Sequence, residues 1–305
     1  MVNQKIIVPA RKKRRARKDE LAFRLIGYPL LMLFAVLCVL PFILVICSSF
    51  DSEHAIAVHG FSFIPHEPTL ASYKQIFSNG TSILRAYGIT IFITVVGTAA
   101  STFINMMTGY VLMRRDFKWR NGFSFYFFFT TLFSGGLMPW YMVCTALGFS
   151  DSILALFVPS LVSVWNIILV KGFMAGLPYE ITESAKIDGA GDFRIFISLI
   201  WPLSTPVIAT ISLFTALGFW NSWYNTMLFI NDSRLYSLQY LLYKLINDAQ
   251  AMRQLSEESG EISTAVPIES MKMALTVVVT GPILFLYPFV QRFFIKGLTI
   301  GSVKG

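Results

Sequence analysis

The chain has 305 residues, of which 55% are hydrophobic and 14% charged, with 28 Phe and a formal net charge of +8. Soluble domains carry about 25% charged residues. That difference and a mean hydropathy of +0.62 exclude an ordinary soluble fold and indicate a membrane protein. Cys38, Cys47 and Cys144 lie in apolar runs, where cysteine behaves as a small hydrophobe rather than a disulfide or metal ligand.

Residues 1–24 form a basic extension in which Arg11 to Arg15, Arg17 and Lys18 are nearly continuous. An apolar segment follows at once, so the run reads as a cytoplasmic anchor and not as a nucleic-acid or nuclear-targeting tract. It does not read as a cleaved signal either. Ile26 to Phe50 is longer than a signal core, and no small-residue cleavage site follows.

Six segments reach the roughly 20 residues that span a bilayer. They lie near 25–50, 86–112, 122–147, 152–174, 198–230 and 271–295. Pro202 and Pro206 predict a bent start to the fifth. Ser134-Gly135-Gly136, inside the third, reads as a packing or bending site. Lys and Arg gather before the first segment, at Arg114, Arg115, Lys118 and Arg120, at Lys171, Lys186 and Arg194, and at Lys296 and Lys304. The alternate loops are poorer, which places both termini and the Glu183 loop in the cytoplasm. The long extracytoplasmic loops are then 51–85 and 231–270. The second, with Glu257, Glu258, Glu261 and Glu269, reads as a solvated loop or, on the family resemblance set out below, as a contact for an external solute receptor. His54, His59 and His66 share the first, at spacings that fit no helical metal pair.

The central part of each segment lacks Asp, Glu, Lys, Arg and His. Ion-coupled transporters keep ionisable groups in the membrane, and intramembrane enzymes need catalytic ones. Energy for transport would therefore enter from elsewhere, although a passive facilitator would look the same. Uncharged polar and aromatic groups do occur. Trp165, Asn166, Trp220, Asn221, Tyr224 and Asn225 are candidates for lining a sugar path through ring stacking and amide hydrogen bonds. The plainer reading makes them interfacial anchors and helix–helix contacts. No Gly-Lys dipeptide occurs, so no phosphate-binding P-loop can be drawn and no cofactor of the chain's own is expected.

A polar island runs from Pro178 between the fourth and fifth segments. A short helix is predicted over Tyr179–Ile187, with Glu180 and Glu183 near its positive end. Gly189 is a natural stop, and Asp192 can cap the next helix. Ile181, Ser184 and Ala185 share a face, giving a stub suited to docking into a groove on another protein.

Glu183-Ser184-Ala185, three residues, Gly189, nine residues, then Leu199-Ile200-Trp201-Pro202 resembles the EAA loop of ABC importer permeases. That pattern is Glu-Ala-Ala, three residues, Gly, nine residues, Ile-x-Leu-Pro; Ser184, Leu199 and Trp201 depart from it. Ala185-Lys186-Ile187-Asp188-Gly189-Ala190 is typical of the carbohydrate-uptake branch, and Phe133-Ser134-Gly135-Gly136-Leu137-Met138-Pro139 resembles its oligosaccharide subgroup. The last ten residues resemble the Gly-Leu-Thr-x-Gly-x-Val-Lys-Gly end of the smaller permease in maltose importers.

The resemblance covers about 25 to 305 and implies an all-α, six-helix polytopic membrane protein of type I ABC importer permease architecture. The permease domain would span 25–295, with a coupling loop at 178–196 and a cytoplasmic tail at 296–305. Glu180, Glu183, Ser184, Ala185, Ile187, Asp188 and Gly189 would dock the ATPase; Thr299, Gly301, Val303, Lys304 and Gly305 would reach it from the tail. The implied function is a transport subunit, not an enzyme, forming half of a carbohydrate or oligosaccharide pathway in the bacterial cytoplasmic membrane. ATP and Mg would bind the partner ATPase. The implied partners are a second homologous permease in a heterodimer, two ATPase subunits and an extracytoplasmic sugar-binding protein, in membrane lipid and without nucleic acid.

Overall fold

The computed structural model describes residues 18–78, 80–259 and 269–284. The tail at 296–305, the basic stretch before residue 18 and the second half of the sixth expected segment lie outside them. Among the described residues the regular structure is helical throughout, apart from an isolated bridge between Asp51 and Pro68.

Helix α1, Lys18–Ser49, has a charged start, but its 25-residue span Leu25–Ser49 is apolar on every side, with a mean hydropathy of 3.2. Leu30 to Leu40 stays exposed, as suits a helix whose surroundings are lipid or another apolar helix. Short helices α2, Glu53–His59, and α3, Ala71–Ser78, follow. Helix α4, Gly80–Met113, is the central column, about 50 Å long at the usual rise. It supplies residues to all three apolar cores: Met106 and Tyr110 to one, Ile93 to the second, Ile83 and Ala86 to the third. Neighbours approach it closely at two of its glycines. A Cβ on Gly109 would lie 2.5 Å from Val170 Cγ1, and one on Gly97 2.8 Å from the Phe219 ring.

The remaining expected segments are broken. The third is α5, Arg120–Leu132, and α6, Leu137–Ala146, meeting at 118°. The bend falls on Ser134-Gly135-Gly136, where Gly136 has φ +84°, a conformation open to glycine and strained for other residues. The fourth bends by 45° between Ile153–Ser160 and α7, Val164–Ala175. The backbone freed there is satisfied by α4. Fully buried Asn105 donates to Leu161 O (3.0 Å) and accepts from Ser163 N–H (3.0 Å), while Ser101 Oγ donates to Leu161 O (2.7 Å).

After α7 come α8, Tyr179–Ile187, and α9, Asp192–Ile195, which runs through a π-helical turn, Phe196–Ile200, into α10, Trp201–Leu203. Pro202 lacks an N–H, so the regular α-helical bond to Ser198 O is not made there, and the Trp201 N–H bonds Phe196 O instead. The chain then turns by 84° at Ser204 into α11, Thr205–Trp220. The fifth expected segment, 198–230, is thus not one span. It ends at Trp220, and α12, Tyr224–Phe229, is a separate short helix.

The two long loops are also largely helical. The first contains α2 and α3. Within 231–270 lies α13, Leu238–Ser259, whose Leu241, Leu242 and Leu245 pack on the third core at helical spacing. Residues 269–284 form a final helix, α14. Its start is capped from α2: Glu53 accepts from the Glu269 N–H (3.1 Å) and from Ser270 N–H (2.8 Å) and Oγ (3.0 Å). Beside it, buried Asp51 accepts backbone N–H bonds from Ser52, His66 and Glu67.

Among the described residues two helices are long and apolar enough to cross a membrane, or up to five spans if each bent pair counts as one. The packing at Gly109 gives a test. Gly109→Ala should destabilise the solubilised protein by about 1–3 kcal/mol through overpacking against Val170. Gly88→Ala, whose Cβ meets nothing within 4 Å, should be neutral or stabilising. Thermal unfolding of both variants checks this.

Candidate functional site

The polar island folds as its residues dictate. Pro178 is extended (φ −59°, ψ 126°) and starts α8, where its missing N–H is no loss. The helix ends in a Schellman turn: Gly189 N–H bonds Lys186 O (3.0 Å), Ala190 N–H bonds Ala185 O (2.9 Å), and Gly189 takes φ +77°. Asp192 does not cap the next helix as expected. Gly191 occupies that position, and Asp192 sits at the first helical residue with its carboxylate engaged elsewhere.

The two sides of α8 differ. Thr182 and Ala185 are buried and Ile181 is half-buried. Ala185, 8% exposed, belongs to the same core as Tyr110, Val170, Met174, Ile195 and Phe196. The close approach that this small residue allows is therefore to the chain's own body. Glu180, Glu183, Ser184, Ile187 and Asp188 are exposed on the other side, at i, i+3, i+4, i+7 and i+8. Ile187 is 82% exposed. Among the described residues neither Glu180 nor Glu183 has an ion-pair partner, while Ser184 Oγ turns back on Glu180 O (2.8 Å). The expected common face of Ile181, Ser184 and Ala185 is split, because burial turns Ala185 inward and leaves Ser184 outside.

Three consecutive residues beyond α4 hold this loop. Arg114 donates from Nε to Asp116 Oδ1 (2.8 Å), pairs through its other nitrogens with Asp116 and Asp192, and lies over the Tyr110 ring (5.7 Å). Arg115 lies over the Tyr179 ring (5.5 Å). Lys186 Nζ donates to Asp116 Oδ2 at 2.8 Å. The hydrogen bonds from Arg114 and Lys186 hold the Asp116 carboxyl well below the usual carboxylate range, against the opposing effect of burial. A depressed carboxylate stabilises above its ordinary range and loses its effect only as the pH falls through the lowered value, so the cluster stays ionised near neutrality. In the sequence, Arg114 and Arg115 served only to orient the chain, and Asp116 had no role. Their partners lie about 70 residues away, and no local spacing reveals such a pairing.

The six pathway candidates separate into two sets. Asn166, Trp220 and Asn225 are buried in helix contacts, donating to Thr215 Oγ1 (3.2 Å), Val279 O (3.4 Å) and Ser160 Oγ (3.4 Å). Trp165 (67% exposed), Asn221 and Tyr224 are open. Near the last two, Trp223 stacks on Tyr243 at 4.7 Å and meets Tyr224 edge-on. An apolar cavity of ≈ 370 Å³ between α5 and α7, lined by Leu112, Phe127, Ile168 and Lys171, contains none of the six.

No family model matches the chain. It is 41% identical over 283 residues to the polygalacturonan/rhamnogalacturonan transport system permease protein YtcP of Bacillus subtilis (strain 168), covering 93% of this chain and 98% of that protein. It is 42% identical over 269 residues to protein LplC of the same organism, covering 88% and 90%. A solved structure, that of a bacterial ABC transporter involved in the import of the acidic polysaccharide alginate, matches with a TM-score of 0.79 at 26% identity. The match covers 91% of this chain and 98% of that one.

The left-handed position is directly testable. Gly189→Val should cost about 1–2 kcal/mol locally, because a β-branched residue is strained at φ +77°. Faster hydrogen exchange at the amides of position 189 and Ala190, with α4 unchanged, is the expected result.

Proposed function

The chain belongs to the permease subunits of carbohydrate-importing ABC transporters, and on that premise we propose that α8 is the coupling helix through which a separate ATPase drives oligosaccharide import. The chain is a transport subunit and not an enzyme, in a family whose systems also use an ATPase and a binding protein. One observation carries the reading: α8 locks one side into the body and leaves the stripe Glu180, Glu183, Ser184, Ile187 and Asp188 uncovered. Two carboxylates and one bare apolar side chain at helical spacing suit a groove with a basic rim and an apolar floor. Gly189 fixes where the stub ends.

In this proposal the chain is half of the pathway, and a second, unlike permease supplies the other half. Both termini and α8 face the cytoplasm in this reading, which the Lys and Arg distribution supports. Closure of two ATP-bound ATPase subunits moves α8, and the helices behind it switch access from outside to inside as packed bodies. The tail residues Thr299, Gly301, Val303, Lys304 and Gly305 reach the ATPases as a second contact. Ala185 and Gly189 shape the loop, while Glu180, Glu183, Ser184, Ile187 and Asp188 touch the partner. Trp165, Asn221 and Tyr224 are exposed and available to sugar; Asn166, Trp220 and Asn225 support them from within. YtcP is named for polygalacturonan and the solved neighbour for alginate, both acidic polymers, so oligosaccharides bearing uronic acids are the first substrates to assay.

Affinity purification of the gently solubilised chain from its native membrane should bring down a second permease and an ATPase. Recovery of the chain alone, with sugar flux in liposomes that needs no ATP, would overturn the proposal. Within an assembled complex, Glu183→Lys should abolish most ATP-dependent uptake while leaving the protein inserted. Deleting Thr299 to Gly305 should alter the ATPase rate; normal hydrolysis and uptake would remove the tail from the interface.

A further inference from the structure

The buried side of α8 is small. Only Thr182 and Ala185 are fully covered, so little apolar relief keys the helix into the core. Hydrophobic contact is non-directional: it resists separation of two surfaces but opposes sliding only weakly. A pushed helix held by such a face alone would slip. The Arg114-Arg115-Asp116 triplet supplies the directional contacts that the apolar face lacks. Arg115 meets α8 at its first residue, Tyr179; Asp116 meets it near its end, at Lys186; Arg114 meets the start of α9 at Asp192. All three follow directly on α4, the helix common to every core.

We propose that Arg114, Arg115 and Asp116 are positioning residues that clamp the coupling helix to the end of α4 and pass its movement into that column. The inference rests on the reading of α8 as the ATPase-docking helix. Arg114 is the covered member of the clamp, its side chain 11% exposed and enclosed between Tyr110, Asp116 and Asp192, while Asp116 and Lys186 are 45% and 38% exposed. None of the clamp's contacts falls on the stripe Glu180, Glu183, Ser184, Ile187 and Asp188, so it acts after docking. Exposed ion pairs add little to stability, so removing one should leave fold and assembly intact and impair transmission.

The test uses the complete complex of permeases, ATPases and binding protein in proteoliposomes, supplied with mixed oligosaccharides from pectin and alginate digests. ATP hydrolysed per sugar imported is the readout. Asp116→Asn should raise that ratio about fivefold, the equivalent of about 1 kcal/mol from a weakened charge-assisted hydrogen bond. The ATPase should co-purify as in the wild type. Lys186→Met should do the same, and Lys186→Arg, which keeps the pair, should restore the wild-type ratio. An assembled Asp116→Asn complex with an unchanged ratio would overturn the clamp and leave the docking reading standing. Loss of the ATPase from that variant would also overturn it, because the triplet would then act in docking. A wild-type chain that binds no ATPase would remove the docking reading, and the clamp with it.

Discussion

Backbone groups in a bilayer cannot turn to lipid for hydrogen bonds, so a break in a membrane helix must be answered from within the protein, by a local backbone adjustment or by a side chain from a neighbour. Asn105 meets that constraint here. Its amide gives and takes hydrogen bonds at 161–163, where the fourth segment bends, and Ser101 adds a bond to the same carbonyl. Such groups are costly to bury unless fully engaged. The pairing therefore fixes the register of α7 against α4, and Gly109 lets Val170 come close. Once α7 is placed, Val170 and Met174 form the floor on which α8 and the π-helical turn rest. The candidate site thus inherits its position from an uncharged amide more than two helical turns away along α4.

A helix that receives force needs one face held and the other free. On α8 the held face combines a small apolar contact with charged, directional ones, and the free face keeps its carboxylates unpaired among the described residues. Downstream, the π-helical turn and the 84° bend at Ser204 separate this loop from the straight part of α11. The loop therefore connects to α11 across a bend, while it meets the end of α4 through direct side-chain contact.

Much of this was legible in the sequence, for identifiable reasons. The α8 boundaries follow from Pro178 and Gly189, because both residues have backbone limits that no tertiary context removes. Composition and the apolar runs gave the membrane class and the first two long helices. Hydropathy reports length in lipid but is blind to direction; Gly135-Gly136 and Pro202 with Pro206 marked two of the bends through their backbone limits, whereas the bend near Ser163 carries no Gly or Pro and left the fourth run looking continuous. The helices within 51–85 and 231–270 were missed because their polar faces dominate a windowed average. The spacing of Leu238, Leu241, Leu242 and Leu245 was the available signal for α13. The Arg114–Asp192 and Lys186–Asp116 pairs were beyond reach, since they join residues that only the fold brings together. Splitting the six pathway candidates into buried and open sets likewise required the packing of α7, α11 and α12.

The cap that Glu53 places on α14 joins residues 216 positions apart. A polypeptide is made and inserted from one end to the other, so Glu53 emerges from the ribosome with nothing to cap. Its carboxylate waits while the intervening spans enter the membrane, and the clasp closes only when residues 269 and 270 arrive. The arrival of α14 is thereby written into the structure as one set of hydrogen bonds. A chain truncated before α14 leaves the carboxylate of α2 and the neighbouring Ser72 hydroxyl without these partners.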